Sequence, residues 1–265
     1  MTDSRKTRFW HEFPFLILIA LVLALLIKTF LVQAFFIPSG SMERTLHGCP
    51  GCSGDCVLVN KLVYRFRDPH RGEIVVFRGP PSWQDTPEVT TSEPGNPVSR
   101  FFHEVGSALG VSAPSSKDFI KRVIGVPGDH VVCCDLQKRI TVNGHPLTEP
   151  YVFPGANPSD QPFDVTVPPD RLWVMGDHRN ESADSRFHIA DHDGTIPIDD
   201  VIGRAFIKVW PINHWGFLRV PASFHQPGLH AIGVVVGAGG VLPPAARRRR
   251  RRSALPLSPP PRCRP

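Results

Sequence analysis

The stretch Asp118-Phe-Ile-Lys-Arg-Val-Ile-Gly-Val-Pro-Gly-Asp129 is apolar and β-branched, and it closes on Val-Pro-Gly-Asp, so it reads as a strand running into a turn. Its anomaly is Lys121, a cation inside an otherwise apolar strand. Burial disfavours an ammonium, so a desolvated lysine can fall toward a neutral pKa and accept a proton; a solvated strand lysine is the plain alternative. Outward from this segment, strand signals recur at Cys56–Asn60, Glu73–Phe77, Val131–Cys134, Arg139–Val142, Phe163–Val167, Leu172–Met175 and Val201–Val209. Asn143-Gly144, directly after Ile-Thr-Val, marks a two-residue hairpin. Many short strands without alternating helices predict a mainly β fold, an antiparallel coiled sheet or barrel.

Composition agrees. The 265 residues allow one catalytic domain with appendages, and 29 Pro with 22 Gly suit a loop-rich β protein better than a helical bundle. The net charge of +6 resides in one block, Arg247 to Arg252, so it gives no basic face for nucleic acid. Residues 79–116 are rich in Pro, Ser, Thr and Gly and read as an insertion, with one short amphipathic helix over 98–109.

Residues 15–36 are apolar except for Lys28, Thr29 and Gln33, which predicts a transmembrane helix behind a cytoplasmic segment, residues 1–14. Arg5, Lys6 and Arg8 precede the span, so the positive-inside rule puts the N-terminus in the cytoplasm and the domain at 37–215 outside. No small-x-small cleavage site precedes Ile37, which favours an uncleaved anchor over a removable signal peptide. Residues 229–246 are a candidate second span, with a basic, Pro-rich tail at 247–265; a disordered linker is the competing reading. Of the six cysteines, Cys49, Cys52, Cys56, Cys133 and Cys134 fit disulfides, free thiols or, less well, zinc, with the pairing open.

Just past the first span comes Ile37-Pro-Ser-Gly-Ser-Met42, a tight turn presenting two hydroxyls. A serine needs a base to act as a nucleophile, the twelve histidines are scattered, and Lys121 is the base that stands out.

Four blocks now occur in one order: Pro-Ser-Gly-Ser-Met at 38–42 with Thr-Leu at 45–46, Arg-Gly-Glu-Ile-Val-Val-Phe at 71–77, Lys-Arg-Val-Ile-Gly-Val-Pro-Gly-Asp at 121–129, and Met-Gly-Asp-His-Arg-Asn-Glu-Ser-Ala-Asp-Ser-Arg at 175–186. In this the chain resembles the bacterial type I signal peptidases, actinobacterial members in particular, over about residues 15–215. The resemblance implies a Ser-Lys dyad with Ser41 as nucleophile and Lys121 as general base. It also implies an oxyanion hole from the Ser39 hydroxyl and the Ser41 N–H, and a lysine-orienting role for Ser182. Asp184 and Arg186 are implied as a bracing pair, Met42 as a residue packed at the site, and Gly176 and Asp177 as shaping a turn. It departs from the family pattern at Glu43-Arg44, where a Pro is usual, and in the Cys-Pro-Gly-Cys-Ser-Gly insertion at 49–54. The expected partners are secretory preproteins cut after A-x-A sites, membrane lipid and a nearby translocon, with no nucleic acid, cofactor or metal. The competing functions are a narrow processing protease and a silent, membrane-tethered peptide-binding module.

Overall fold

A computed structural model describes residues 4–26, 31–49, 52, 54–83, 111–112 and 117–230. Among these the strands are Val32–Phe36 (β1), Cys56–Asn60 (β2), Ile74–Arg78 (β3), Val111–Ser112 (β4), Asp118–Gly125 (β5), His130–Cys133 (β6), Ile140–Val142 (β7), His145–Pro146 (β8), Phe163–Thr166 (β9), Arg171–Met175 (β10), Ile196–Pro197 (β11), Val201–Trp210 (β12) and Gly216–Phe217 (β13). They form a nine-stranded sheet in the order β11-β10-β5-β3-β12-β2-β1-β4, with β13 paired to β12, and a four-stranded sheet in the order β8-β7-β6-β9. Apart from the short parallel contact of β4 with β1, the pairings are antiparallel.

The opening segment is the strand its pattern predicts. β5 is buried from Phe119 to Gly125 because it lies between β3 and β10, with Lys121 opposite Val75 and Arg122 opposite Ile74 and Met175. A strand covered on both sides reads as a continuous apolar run. The register shift between Trp173 and Val174 on β10 lies at its end, where Trp173 pairs with Gly125. The Asn143-Gly144 hairpin is present between β7 and β8, both residues at positive φ, 54° and 78°.

Three apolar clusters carry the fold. One lies with the small sheet (Val131, Ile140, Val142, Leu147, Phe163, Val165), one under β1 and β2 (Phe35, Met42, Leu46, Val57, Val59), and one around Phe77, Phe119 and Val174. Trp83, 1% exposed, joins the third, edge-on to Phe77 and Phe119 and stacked on His188. The insertion therefore begins as core; most of residues 84–116, including the expected helix at 98–109, lies outside the described residues.

One expectation about membrane segments is corrected, and the candidate second span at 229–246 lies, apart from residues 229 and 230, outside the described residues. Residues 15–36 are not one helix: the helix α1 runs Ser4–Leu26, and Val32–Phe36 is β1, paired with β2 from Val32↔Asn60 to Phe36↔Cys56. A short apolar run reads the same as lipid-facing helix or buried strand, and here the β2 ladder and the buried Phe35 decide for strand. Among the described residues no helix is long and apolar enough to cross a membrane. Leu229, the first residue of the candidate second span, is fully buried in the small-sheet core, reached through a turn at Pro227–His230. The folded domain thus extends past 215, Phe224 joining the same core, while 231–265 lies outside the described residues.

Among the described residues the cysteines resolve as Cys49–Cys52 and Cys133–Cys134 disulfides with Cys56 a buried free thiol.

Candidate active site

Ser41 sits in a single turn of 3-10 helix, Gly40–Met42, entered from Ser39 in an extended conformation. Behind it Met42 is fully buried and Leu46 donates its N–H to the Met42 carbonyl, so the turn is stapled into the core under β1. The Ser41 carbonyl accepts the N–H of His178, which ties the turn to the block after β10. Gly176 has no room for a side chain: a Cβ there would lie 2.5 Å from the Ser41 carbonyl and collide with the Ser182 side chain.

From the facing strand, Lys121 places its Nζ 2.8 Å from Ser41 Oγ, and both side chains are 1% exposed. The two residues are eighty positions apart in the chain and meet because β5 and the turn after β1 belong to one sheet. Ser39 Oγ lies 3.3 Å from Ser41 Oγ, beside the dyad and partly open to solvent. An oxygen nucleophile, an amine within hydrogen-bond reach and a second hydroxyl alongside can perform acyl transfer.

The buried charges around the dyad are matched. Asp184 holds Arg186 with two hydrogen bonds of 2.8 Å and accepts the Gly176 N–H at 2.9 Å. Burial alone would raise the Asp184 pKa, but the Arg186 charge and hydrogen bonds, the Gly176 N–H and the charge of Lys121 hold it below the usual carboxylate range. Arg122, next to the base and also buried, binds Asp177 with bonds of 2.8 and 2.6 Å, donates to the Gly72 carbonyl, and stacks 4.2 Å over the Tyr151 ring. Thr45 donates its hydroxyl to the same Asp177. Arg179 pairs with Glu149, 2.6 Å from Arg179 Nη2 to Glu149 Oε1. Ser182 is buried in this block, and its Oγ has no hydrogen-bond partner among the described residues.

The structure brings Ser39, Ser41, Met42, Lys121, Ser182, Asp184 and Arg186 into one region. What sequence reading missed is the Arg122–Asp177–Thr45 connection, which links the strand of Lys121 to the loop after Ser41. Its signal was present: Arg122 is a second charge in an apolar strand, and a buried arginine needs a carboxylate.

Comparison with known proteins gives the family. The family described as signal peptidase, peptidase S26, matches residues 10–210. The chain belongs to that family. A signal peptidase I of Mycobacterium tuberculosis (strain ATCC 25618 / H37Rv) is 45% identical over 224 residues, covering 79% of this chain and 75% of the relative. A probable signal peptidase I of Mycobacterium leprae (strain TN) is 42% identical over 238 residues, covering 82% and 81%. A crystal structure of a signal peptidase I from Enterococcus faecalis V583 aligns with TM-score 0.32 at 24% identity over 52% of this chain and 97% of that one, a likeness too loose to carry weight. The activity is that of a serine endopeptidase of the signal peptidase I type.

Proposed function

We propose that the chain removes signal peptides from secretory preproteins, with Ser41 as nucleophile and Lys121 as general base, and the observation that carries this is the 2.8 Å approach of Lys121 Nζ to Ser41 Oγ in a buried site. In its neutral form the amine takes the hydroxyl proton as Oγ attacks the carbonyl carbon after a small residue. The negative charge that develops on the carbonyl oxygen is met by the Ser39 hydroxyl and the Ser41 N–H. The amine leaves with the proton, and Lys121 then activates the water that hydrolyses the ester. Ser182, buried under Gly176, is the hydroxyl we assign to orient the lysine once the site is engaged, and the Asp184–Arg186 pair braces the block that carries it. The substrate lies as an extended strand against the sheet, which reads small side chains at alternate positions and suits A-x-A sites.

We place the enzyme at the plasma membrane with its catalytic domain outside. The apolar side chains from Phe15 to Leu23 on α1 are exposed in the folded chain, Phe15 by 63% and Leu21 by 57%, as a lipid-facing helix requires. Arg5, Lys6 and Arg8 before them support the same reading, since basic residues at that end of the helix suit anionic lipid headgroups.

Purified full-length protein in detergent, incubated with a preprotein bearing an A-x-A site, tests the reading. Wild type should release the signal peptide at that site, and Ser41→Ala and Lys121→Ala should not. Equal cleavage by either variant would refute the dyad.

A further inference from the structure

The Cys49–Cys52 loop is not used by the chemistry above, yet it touches the residue assigned to the oxyanion hole. His47 donates its N–H to Asp55 Oδ2 at 2.9 Å and accepts the Asp55 N–H on its carbonyl at 2.8 Å, which closes the loop at its neck. The Asp55 carbonyl in turn accepts the Ile37 N–H at 2.9 Å. Inside the neck, Gly48 rests on the backbone leading to the nucleophile: a Cβ added there would stand 2.6 Å from the carbonyl oxygens of both Ile37 and Ser39. Gly48 thus packs against the Ser39 carbonyl with no room for a side chain between them, and Cys49 is the next residue along.

The pair is also chemically accessible. Cys52 is exposed and Cys49 half-buried, whereas the free thiol Cys56 is 4% exposed. His47 Nε2 lies 4.0 Å from Cys52 Sγ, and its Nδ1 lies 2.6 Å from Glu43 Oε1, a carboxylate that fixes the ring. With Nδ1 donating to the carboxylate, the neutral ring turns its Nε2 lone pair toward Cys52, a base beside the thiol that forms when the disulfide opens.

We infer that Cys49–Cys52 is a thiol–disulfide exchange site whose oxidised form holds Ser39 in position for catalysis. Its reactant is a dithiol. One thiolate of the reductant attacks Cys49 Sγ, the Cys49–Cys52 bond breaks, and Cys52 leaves as a thiolate that takes a proton. The second reductant thiol then displaces Cys49, so two electrons and two protons pass to the protein and the reductant becomes a disulfide. The opened loop no longer presses Gly48 on the Ser39 carbonyl, and the Ser39 hydroxyl loses its register with the developing oxyanion. These are positioning residues: they act through Ser39 and touch no substrate.

The inference rests on the peptidase reading, and its test separates the two. Oxidised and dithiol-reduced full-length enzyme are compared on the A-x-A preprotein, alongside Cys49→Ala/Cys52→Ala, Cys56→Ala and Cys133→Ala/Cys134→Ala. Loss of a whole oxyanion donor costs about 10²- to 10³-fold, so a displaced one should lower kcat by about tenfold with KM within about twofold. Reoxidation should restore kcat. The Cys49/Cys52 double variant should sit at the reduced level and ignore dithiol, while the other variants stay sensitive. Backbone hydrogen exchange supplies a readout independent of turnover: amides from Ser39 to Gly48 should exchange faster on reduction. Unchanged kcat and unchanged exchange overturn the proposal, as does a double variant that still loses activity with dithiol. Recovery of the reduced enzyme by added zinc without reoxidation would overturn it too, because His47, Cys49 and Cys52 place their ligand atoms within 4.8 Å of one another and would then be a metal site. An oxidised enzyme that cleaves nothing sinks the peptidase reading, and the exchange measurement still decides this one.

Discussion

The two sheets solve opposite problems. The four-stranded sheet is held by ordinary apolar burial: Val131, Ile140, Val142 and Leu147 are at most 1% exposed. The nine-stranded sheet around the dyad instead buries Lys121, Arg122, Asp177, Asp184 and Arg186, each at most 3% exposed. Charges taken from water cost free energy unless paired, and even a matched buried pair is often no more stabilising than well-packed hydrophobic residues. Both sheets draw stability from apolar clusters, and the large one also spends some of it on position. A charged network specifies direction and distance in a way that interchangeable aliphatic side chains do not.

The contrast fails most visibly at the dyad. Ser41→Ala or Lys121→Ala should reduce kcat/KM by about 10⁴-fold or more while thermal melting stays within a few degrees, checked by preprotein cleavage and calorimetry. Next, Asp177→Ala leaves Arg122 buried without its carboxylate and should cost about 3–5 kcal/mol in denaturant unfolding, with activity falling too because Thr45 is released. Leu147→Ala in the small sheet should cost about 2–4 kcal/mol, yet leave kcat per folded molecule unchanged. If Leu147→Ala lowered kcat as Asp177→Ala does, the division of labour would be wrong.

Acid should weaken the block around Asp184. The Asp184 pKa is depressed in the folded state, so its contribution is complete above the unfolded carboxylate pKa and is lost as pH falls through the lower folded value. Asp184→Asn should therefore flatten the acid limb of a stability-versus-pH curve, and an unchanged limb would count against the pairing. The smallest effect concerns Cys56. Burial, with the Asp55 carboxylate adding to it, pushes this thiol up to about 11, so alkylation of native protein at pH 8 should lag far behind that of unfolded protein.

Much of this was legible in the chain. β5 and β3 announced themselves because strands covered on both faces are β-branched and apolar, β2 and β12 because their β-branched, apolar residues recur along a short run, and Asn143-Gly144 can hardly be anything but a hairpin turn. Ser41 and Lys121 became a site only through the four ordered blocks, since nothing local distinguishes a nucleophile from a turn serine. β1 was hidden because Val-Gln-Ala-Phe-Phe continues an apolar helix without a break, and only β2, twenty residues later, reveals it as a strand. The Arg122–Asp177–Thr45 link was hidden for a similar reason: its three members are far apart in sequence, and pairing across that distance is a property of the sheet. Cys49–Cys52 was open to several chemistries until the fold set Gly48 against Ser39.

That misread strand has a mechanical consequence. Only five residues separate the end of α1 at Leu26 from Val32, and from Val32 the chain is committed to the sheet until it reaches the turn holding Ser41. Five residues span at most about 18 Å when fully extended. Ser41 is thus tied within a short length of chain to the helix, and lengthening the connection at residues 27–31 would change how far from the helix the enzyme can cut.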